Sequence, residues 1–430
     1  MRVFLQGPLL HQIEGVNSLR RVVITGIGVV SPIGNGKEEY WKALEEGKNG
    51  VGPITLFDVS EYPVRIAAEV KDFDPGQWMD RKEVRKTDRV IHFAVAASDM
   101  AIEDGALDLN GEDPTRVGVY LGSGEGGIGT SFQNIKTLLE KGPNKISPFF
   151  IPMMISNMPA AYVAIRHNAK GPSLCAVTAC ATATHTIGEA IYSIRRGEAD
   201  VILAGGAEAA ITPIGVAGFA AMKALSSRND DPEHASRPFD ADRDGFVLGE
   251  GAGVLILEEL EHAKRRNAKI YAELVGYGNT TDAYHITAPD PEGVGAVRAM
   301  SMAVSMAGWD LADVELINAH GTSTPLNDAM EAKAIRALFG QYTDNVLVHS
   351  TKSMIGHGLG AAGVLELIAL LLAFERGVIH PTINLERQDE ECPINVVGRE
   401  PVYRKISRAL SNNFGFGGHN AVLAIQRYEG

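Results

Sequence analysis

The sequence predicts an α/β fold with buried sheets, built as two similar halves. Three observations predict it. Short apolar runs of strand length alternate with longer segments of helical pattern. The strand-like runs read as buried, as in sheets covered by helices. The second half echoes the first, with Cys180 ahead of a helical segment in one and His357 ahead of another at the matching place. At 430 residues the chain is long enough to bury a large core in one domain or two fused halves.

Taken in order, residues 21–26 read as a strand ending in a turn, and residues 89–104 as an amphipathic helix. Residues 117–121 form a strand leading into the glycine loop 122–127. Residues 183–197 read as a helix and 201–204 as a short strand. Residues 245–257 and 415–425 are each a glycine turn flowing into an apolar strand, and 269–276 resembles the opening strand. The longest apolar stretch, 359–374, is short for a membrane span and carries Glu366, so it reads as a buried core helix. The expected organisation is a tail at 1–19 and halves at 20–265 and 266–430.

Composition narrows the function classes. The net charge is −13, whereas a phosphate backbone rewards a positive face, so nucleic-acid binding is not expected. Basic residues cluster once, at Arg81, Lys82, Arg85 and Lys86. Alone this reads as a solvated helix face, with a dock for an acidic partner as the functional alternative. Cys175, Cys180 and Cys392 do not make a disulfide framework and suit a reducing cytoplasm. Cys175 and Cys180 lack a second ligand pair at finger spacing, so no metal is expected, nor any cofactor. In residues 1–19, Gln6, His11, Gln12 and Glu14 interrupt any signal-peptide core, and no membrane attachment is expected.

Gly122-Ser123-Gly124-Glu125-Gly126-Gly127 matches a dinucleotide fingerprint, but the following sequence reads better as a tight turn. Cys180 is the candidate nucleophile. It stands between a strand and a helix among small residues, where a helix start favours thiolate. The bland alternative is an inert buried cysteine, the fate expected of Cys175 within its strand. His320 and His357 lie in glycine-rich loops between strand and helix, at the edge where α/β proteins place their chemistry, and Lys352 adds a positive charge nearby.

Four ordered segments carry a resemblance: Thr178-Ala179-Cys180, Asn318-Ala319-His320-Gly321-Thr322-Ser323-Thr324-Pro325, Ser350-Thr351-Lys352-Ser353-Met354-Ile355-Gly356-His357, and Phe414-Gly415-Phe416-Gly417-Gly418-His419-Asn420. Together they resemble the β-ketoacyl-acyl carrier protein synthases of types I and II, over almost the whole chain. Gly205-Gly206-Ala207-Glu208 is similar to type II, and Ala181-Thr182 is as much like type I. The resemblance implies a thiolase-like fold in five αβαβα layers and a homodimer. It implies decarboxylative condensation of an acyl group on Cys180 with a malonyl unit, both delivered by acyl carrier protein, in fatty acid elongation. Backbone N–H groups of Cys180 and Phe416 would form the oxyanion hole, with Phe416 also a gate. His320 and His357 would stabilise the enolate, Lys352 would hold the loop beside His320, and Glu366 would offset its charge. Thr322, Thr324 and Phe414 would contact substrate. Lys82, Arg85, Lys86, Lys145 and Lys223 would receive the carrier protein.

The sequence departs from the family's pattern at Glu125, where an apolar residue usually lines the far end of the acyl pocket. A carboxylate there turns outward, shortens the pocket or meets a polar substrate. Gly358 replaces a common leucine and would loosen the His357 loop, while Asn327 and His419 are minor departures. A ketosynthase of a polyketide or other specialised pathway shares every catalytic residue. A non-catalytic chain-length-setting partner subunit would usually lack the nucleophile retained here.

Overall fold

Ten strands form the framework of the computed structural model, which describes residues 20–430; the expected tail at 1–19 lies outside the described residues. β1 (Val22–Ser31), β2 (Val117–Gly122), β3 (Ser173–Leu174), β4 (Val201–Glu208) and β5 (Gly251–Glu259) lie side by side in the order 1-5-4-2-3. β6 (Ala272–Thr281), β7 (Leu316–Asn318), β8 (Leu347–His349), β9 (Arg408–Gly415) and β10 (His419–Gln426) lie in the order 6-10-9-7-8, the same winding repeated. In each set the first strand runs antiparallel to the fifth and the fifth to the fourth, while the fourth, second and third are parallel. β1 and β6 pair antiparallel, Val22 opposite Leu274, and join the sets edge to edge.

The helices that carry the layers are α1 (Arg89–Asp104), α2 (Ile128–Lys141), α3 (Met158–Arg166), α4 (Thr182–Arg195), α5 (Val294–Ala307), α6 (Pro325–Phe339) and α7 (Ala362–Arg376). α1 and α3 cover the outer face of the first set, and α5, with α6 against it, covers that of the second. α4 and α7 pack on each other between the sets, each touching strands of both. This is the αβαβα layering expected. α7 is apolar almost all round because it is the middle of five layers: every residue from Ala362 to Phe374 is buried. Each of its leucines contributes roughly 1.5–3 kcal/mol by burial. The α4–α7 seam is tight: a Cβ at Gly363 would overlap the Thr184 hydroxyl and come within 2.7 Å of Asn413 Oδ1.

Several elements differ from their sequence reading. The first strand does not end at Gly26; a register shift there is absorbed as a bulge, and pairing with β5 continues to Val30. β4 runs four residues past Ala204 to Glu208, all buried. The glycine turn after β2 leads into α2, a helix the turn reading does not include. Cys175 lies just beyond β3 and is half-buried, its thiol donating to the Ser156 carbonyl at 3.2 Å. The fully buried inert cysteine is Cys392. Among the described residues no helix is long and apolar enough to cross a membrane.

Candidate active site

Cys180 sits in the single turn Ala179–Ala181 that opens α4. Ala179 before it has φ +50°, a left-handed conformation a side-chain-bearing residue adopts only under constraint. This kink leaves the Sγ at the floor of a cavity of about 400 Å³, also lined by His320, His357, Phe414 and Phe416. The β9–β10 hairpin brings Phe416 close because Gly415 has no side chain; a Cβ there would meet the Thr178 carbonyl at 2.6 Å. The backbone N–H groups of Cys180 and Phe416 both reach the sulfur. Burial nevertheless pushes the thiol up to about 11, against the pull of Lys352 and these two N–H groups. The lowering expected from the helix start is therefore overridden by desolvation in the closed site.

His320 follows β7, and His357 follows the short helix Lys352–Ile355. One ring nitrogen of each histidine and the Cys180 sulfur lie within 4.8 Å of one another. The imidazoles meet edge to face, centroids 5.3 Å apart. Lys352 Nζ donates to His320 Nδ1 at 3.3 Å, and the Leu359 N–H donates to His357 Nδ1 at 3.3 Å. A neutral imidazole whose Nδ1 accepts must carry its proton on Nε2. Burial, reinforced by the Lys352 charge, holds both histidines well below their ordinary value, so both are neutral N–H donors. The trio has the ligand types of a zinc site, but a metal-bound imidazole donates from its second nitrogen. Here both second nitrogens accept, so the set suits two donors rather than two metal ligands.

Lys352 is almost fully buried and pairs with Glu366 of α7. Burial raises the Glu366 carboxyl, while Lys352 and the Asn413 amide, 2.7 Å from Oε2, pull it back. Thr322 and Thr324 line the cavity with hydroxyls 2.8 Å apart, and Thr324 also caps α6. Asn327 lines it too. Beside Gly358, Leu359 takes a strained conformation, φ +45°, and the N–H groups of Leu359, Gly360 and Ala361 are all hydrogen-bonded.

Other residues singled out in the sequence lie away from this cluster. Glu125 is not part of the cavity lining. Its Oε2 is buried without a partner, and burial, with the Glu208 charge, pushes the carboxyl up to about 7. Lys82, Arg85 and Lys86 are exposed around the short helix Arg81–Val84, which Asp80 caps, and Lys145 is exposed. Lys223 stands at the rim of the cavity itself. Sequence reasoning missed three buried groups. Glu331 accepts from the His320 and Gly321 N–H groups and is pushed up to about 7 by burial. Asn413 bridges Glu366 and Thr184. Glu208 accepts four bonds at the end of β4. Acids inside apolar segments are the signal that points to Glu208 and Glu331.

Comparison with known proteins agrees with this geometry. Residues 19–263 match the family model "Beta-ketoacyl synthase, N-terminal domain", and residues 271–386 match "Beta-ketoacyl synthase, C-terminal domain". The chain is 52% identical over 410 residues to the 3-oxoacyl-[acyl-carrier-protein] synthase 2 of Synechocystis sp., covering 95% of this chain and 99% of that protein. A crystal structure of a β-ketoacyl synthase from Burkholderia phymatum superposes with a TM-score of 0.89 at 37% identity, over 95% of this chain and 100% of that one. A type II PKS acyl-carrier protein in complex with its ketosynthase gives 0.87 at 34%, over 96% and 100%. A buried cysteine facing two neutral histidines, in a chain matched almost end to end, thus belongs to the β-ketoacyl synthase family.

Proposed function

We propose that the chain condenses an acyl group held on Cys180 with a malonyl unit, both delivered by acyl carrier protein, in fatty acid elongation. The observation that carries this reading is the convergence of the Cys180 thiol with two buried imidazoles whose Nδ1 atoms already accept hydrogen bonds. In the first step Cys180 Sγ attacks the acyl thioester carbonyl, the carrier's thiol leaves with the proton from Cys180, and the N–H groups of Cys180 and Phe416 hold the oxyanion. One such donor is typically worth about 10²–10³ in rate. Covalent capture splits one hard step into two. In the second step a malonyl thioester loses carbon dioxide, and His320 and His357 donate to the enolate oxygen. Two neutral donors do this without storing two charges in a dry pocket. The enolate carbon attacks the acyl-Cys180 carbonyl, the Sγ–C bond breaks, and the β-ketoacyl thioester departs. Lys352, balanced by Glu366, holds His320; Thr322, Thr324 and Phe414 guide the arm; Phe416 gates access.

The exposed cations Lys82, Arg85, Lys86 and Lys145, with Lys223 at the cavity rim, suit an acidic carrier protein, as a locally basic face must on a chain of net charge −13. Homodimerisation is supported by exposed Ile135, Leu138, Leu139, Ile151 and Ile165 and by the free edge of β3 at Leu174. The halves 20–265 and 266–430 each contribute one side of the site, and three free cysteines suit the cytoplasm. Fatty acid elongation is favoured over a polyketide role because the 3-oxoacyl-[acyl-carrier-protein] synthase 2 of Synechocystis sp. is 52% identical, against 36% for the ishigamide ketosynthase/chain length factor and 34% for the type II PKS ketosynthase. The test is intact-protein mass after incubation with acyl carrier proteins bearing short, medium and long chains. One acyl adduct on Cys180, absent in Cys180→Ala, is expected. No adduct from folded protein and competent carrier would sink the reading and favour a non-catalytic partner.

A further inference from the structure

Glu208 closes the C-terminal end of β4 and is fully buried. Its carboxylate accepts four hydrogen bonds, two on each oxygen. Oε1 takes Ser123 Oγ at 2.9 Å and the Glu125 N–H at 3.1 Å; Oε2 takes the Gly124 N–H at 2.8 Å and the Gly360 N–H at 2.9 Å. None of these four donors is a charged side chain. Three come from the turn after β2. The fourth comes from the other half of the molecule, three residues after His357. The intervening Leu359 holds φ +45°, a conformation that persists only where surrounding bonds over-determine it. Its N–H is the donor that occupies His357 Nδ1.

We propose that Glu208 is a positioning residue for decarboxylation: by anchoring the Gly360 N–H it keeps the strained Leu359 peptide aimed at His357 Nδ1, and so reserves the His357 Nε2 proton for the substrate. The proposal rests on the decarboxylative reading above. Its chemistry needs a carboxylate specifically. An amide would set its NH2 against the Glu125 N–H in one orientation, and against the Gly124 and Gly360 N–H groups in the other, while aspartate is one methylene too short to reach. Released from Leu359, His357 Nδ1 would be free to take the proton, and the ring would present an acceptor where the enolate needs a donor. The groups around the ring are Cys180, His320 and Phe246, with the Lys352 charge within range.

The experiment measures the two half-reactions separately in Glu208→Gln. Carbon dioxide release from a malonyl thioester should fall about 10- to 100-fold in kcat with KM nearly unchanged. The acid limb of its pH profile should move to higher pH as the freed nitrogen gains basicity. Acyl loading of Cys180, read by mass, should stay within about threefold, because the oxyanion donors do not hang from this carboxylate. Ser123→Ala removes one donor and leaves the Gly360 anchor, so it should change decarboxylation by less than about threefold. Equal loss of both half-reactions, or an unmoved acid limb, overturns the proposal. Should Glu208→Gln fail to fold, the tautomer of His357 in the unaltered enzyme decides, read by nitrogen-15 NMR or neutron diffraction. Nε2–H is expected, and Nδ1–H overturns the proposal. Failure of the unaltered enzyme to release carbon dioxide would instead overturn the decarboxylative reading and leave the tautomer to be read on its own.

Discussion

Replacing Glu366 with glutamine removes the counter-charge of an ammonium that has almost no solvent: Lys352 is 1% exposed and Glu366 0%. What remains around Lys352 Nζ is His320 Nδ1 at 3.3 Å, a neutral acceptor, while Asn413 loses the carboxylate it donates to. Breaking a buried pair by removing one partner typically costs about 3–5 kcal/mol, because it strands the other charge. Replacing both with apolar residues of similar volume is often close to neutral. Glu366→Gln should therefore lower stability by about 3–5 kcal/mol, and the double variant Lys352→Met, Glu366→Leu should recover most of it. The assay is the urea midpoint across the double-mutant cycle, with carbon dioxide release from malonyl thioester in parallel. Activity should fall in both variants, because the single variant removes the carboxylate that holds Lys352 against His320 and the double variant removes the donor itself, so stability and function should part company in the double variant. A single variant within about 1 kcal/mol of the parent, or a double variant no more stable than the single, would refute the buried-pair reasoning.

Three further outcomes are expected. Gly415→Ala should slow Cys180 acylation about 10²–10³-fold, because the new methyl meets the Thr178 carbonyl and pushes the Phe416 N–H out of the oxyanion position; loading kinetics by mass check it. Glu125 has a folded-state value near 7, above its unfolded value, so its contribution is fully present below about pH 4 and lost as pH rises through 7. Glu125→Gln should match the parent near pH 4 and be more stable by roughly 1–3 kcal/mol at pH 8, which denaturation midpoints across that range will show. Reversing Lys82, Arg85 and Lys86 to glutamate should raise KM for carrier-bound substrates about tenfold or more at low salt, less at high salt, while sparing a small acyl thioester; equal loss with both substrates would speak against docking there.

The candidate site was legible in the sequence where chemistry and turn chemistry coincide. His320, Lys352 and His357 stand in glycine-rich segments and Cys180 among small residues, each at an element boundary, and all four meet in the structure. Glu366 was legible because a charge inside an apolar helix demands a partner, and Lys352 is that partner. The boundaries of β1 and β4 were not, since a bulge lets a strand pass a glycine that reads as a stop, and pairing rather than propensity carries β4 to Glu208. The Cys180 thiol value was misjudged because local sequence shows the helix start but not the depth of burial, and desolvation wins. Glu208 stands in the sequence only as part of a segment similar to the family's. Its role depends on a backbone N–H 152 residues away, a contact no local pattern encodes.

The absent side chain at Gly363 has a consequence for how the reaction distance is set. Nucleophile and histidine belong to different halves, and each precedes one of two helices that touch at that glycine. The gap between the sulfur and the imidazoles is therefore a spacing between slabs, gauged by the volume of the residues wedged along the seam. A bulkier residue there would act as a shim, separating acyl donor from enolate without altering any group that reacts. Reach, and with it the balance between condensation and unproductive loss of carbon dioxide, becomes adjustable from a position that never meets substrate.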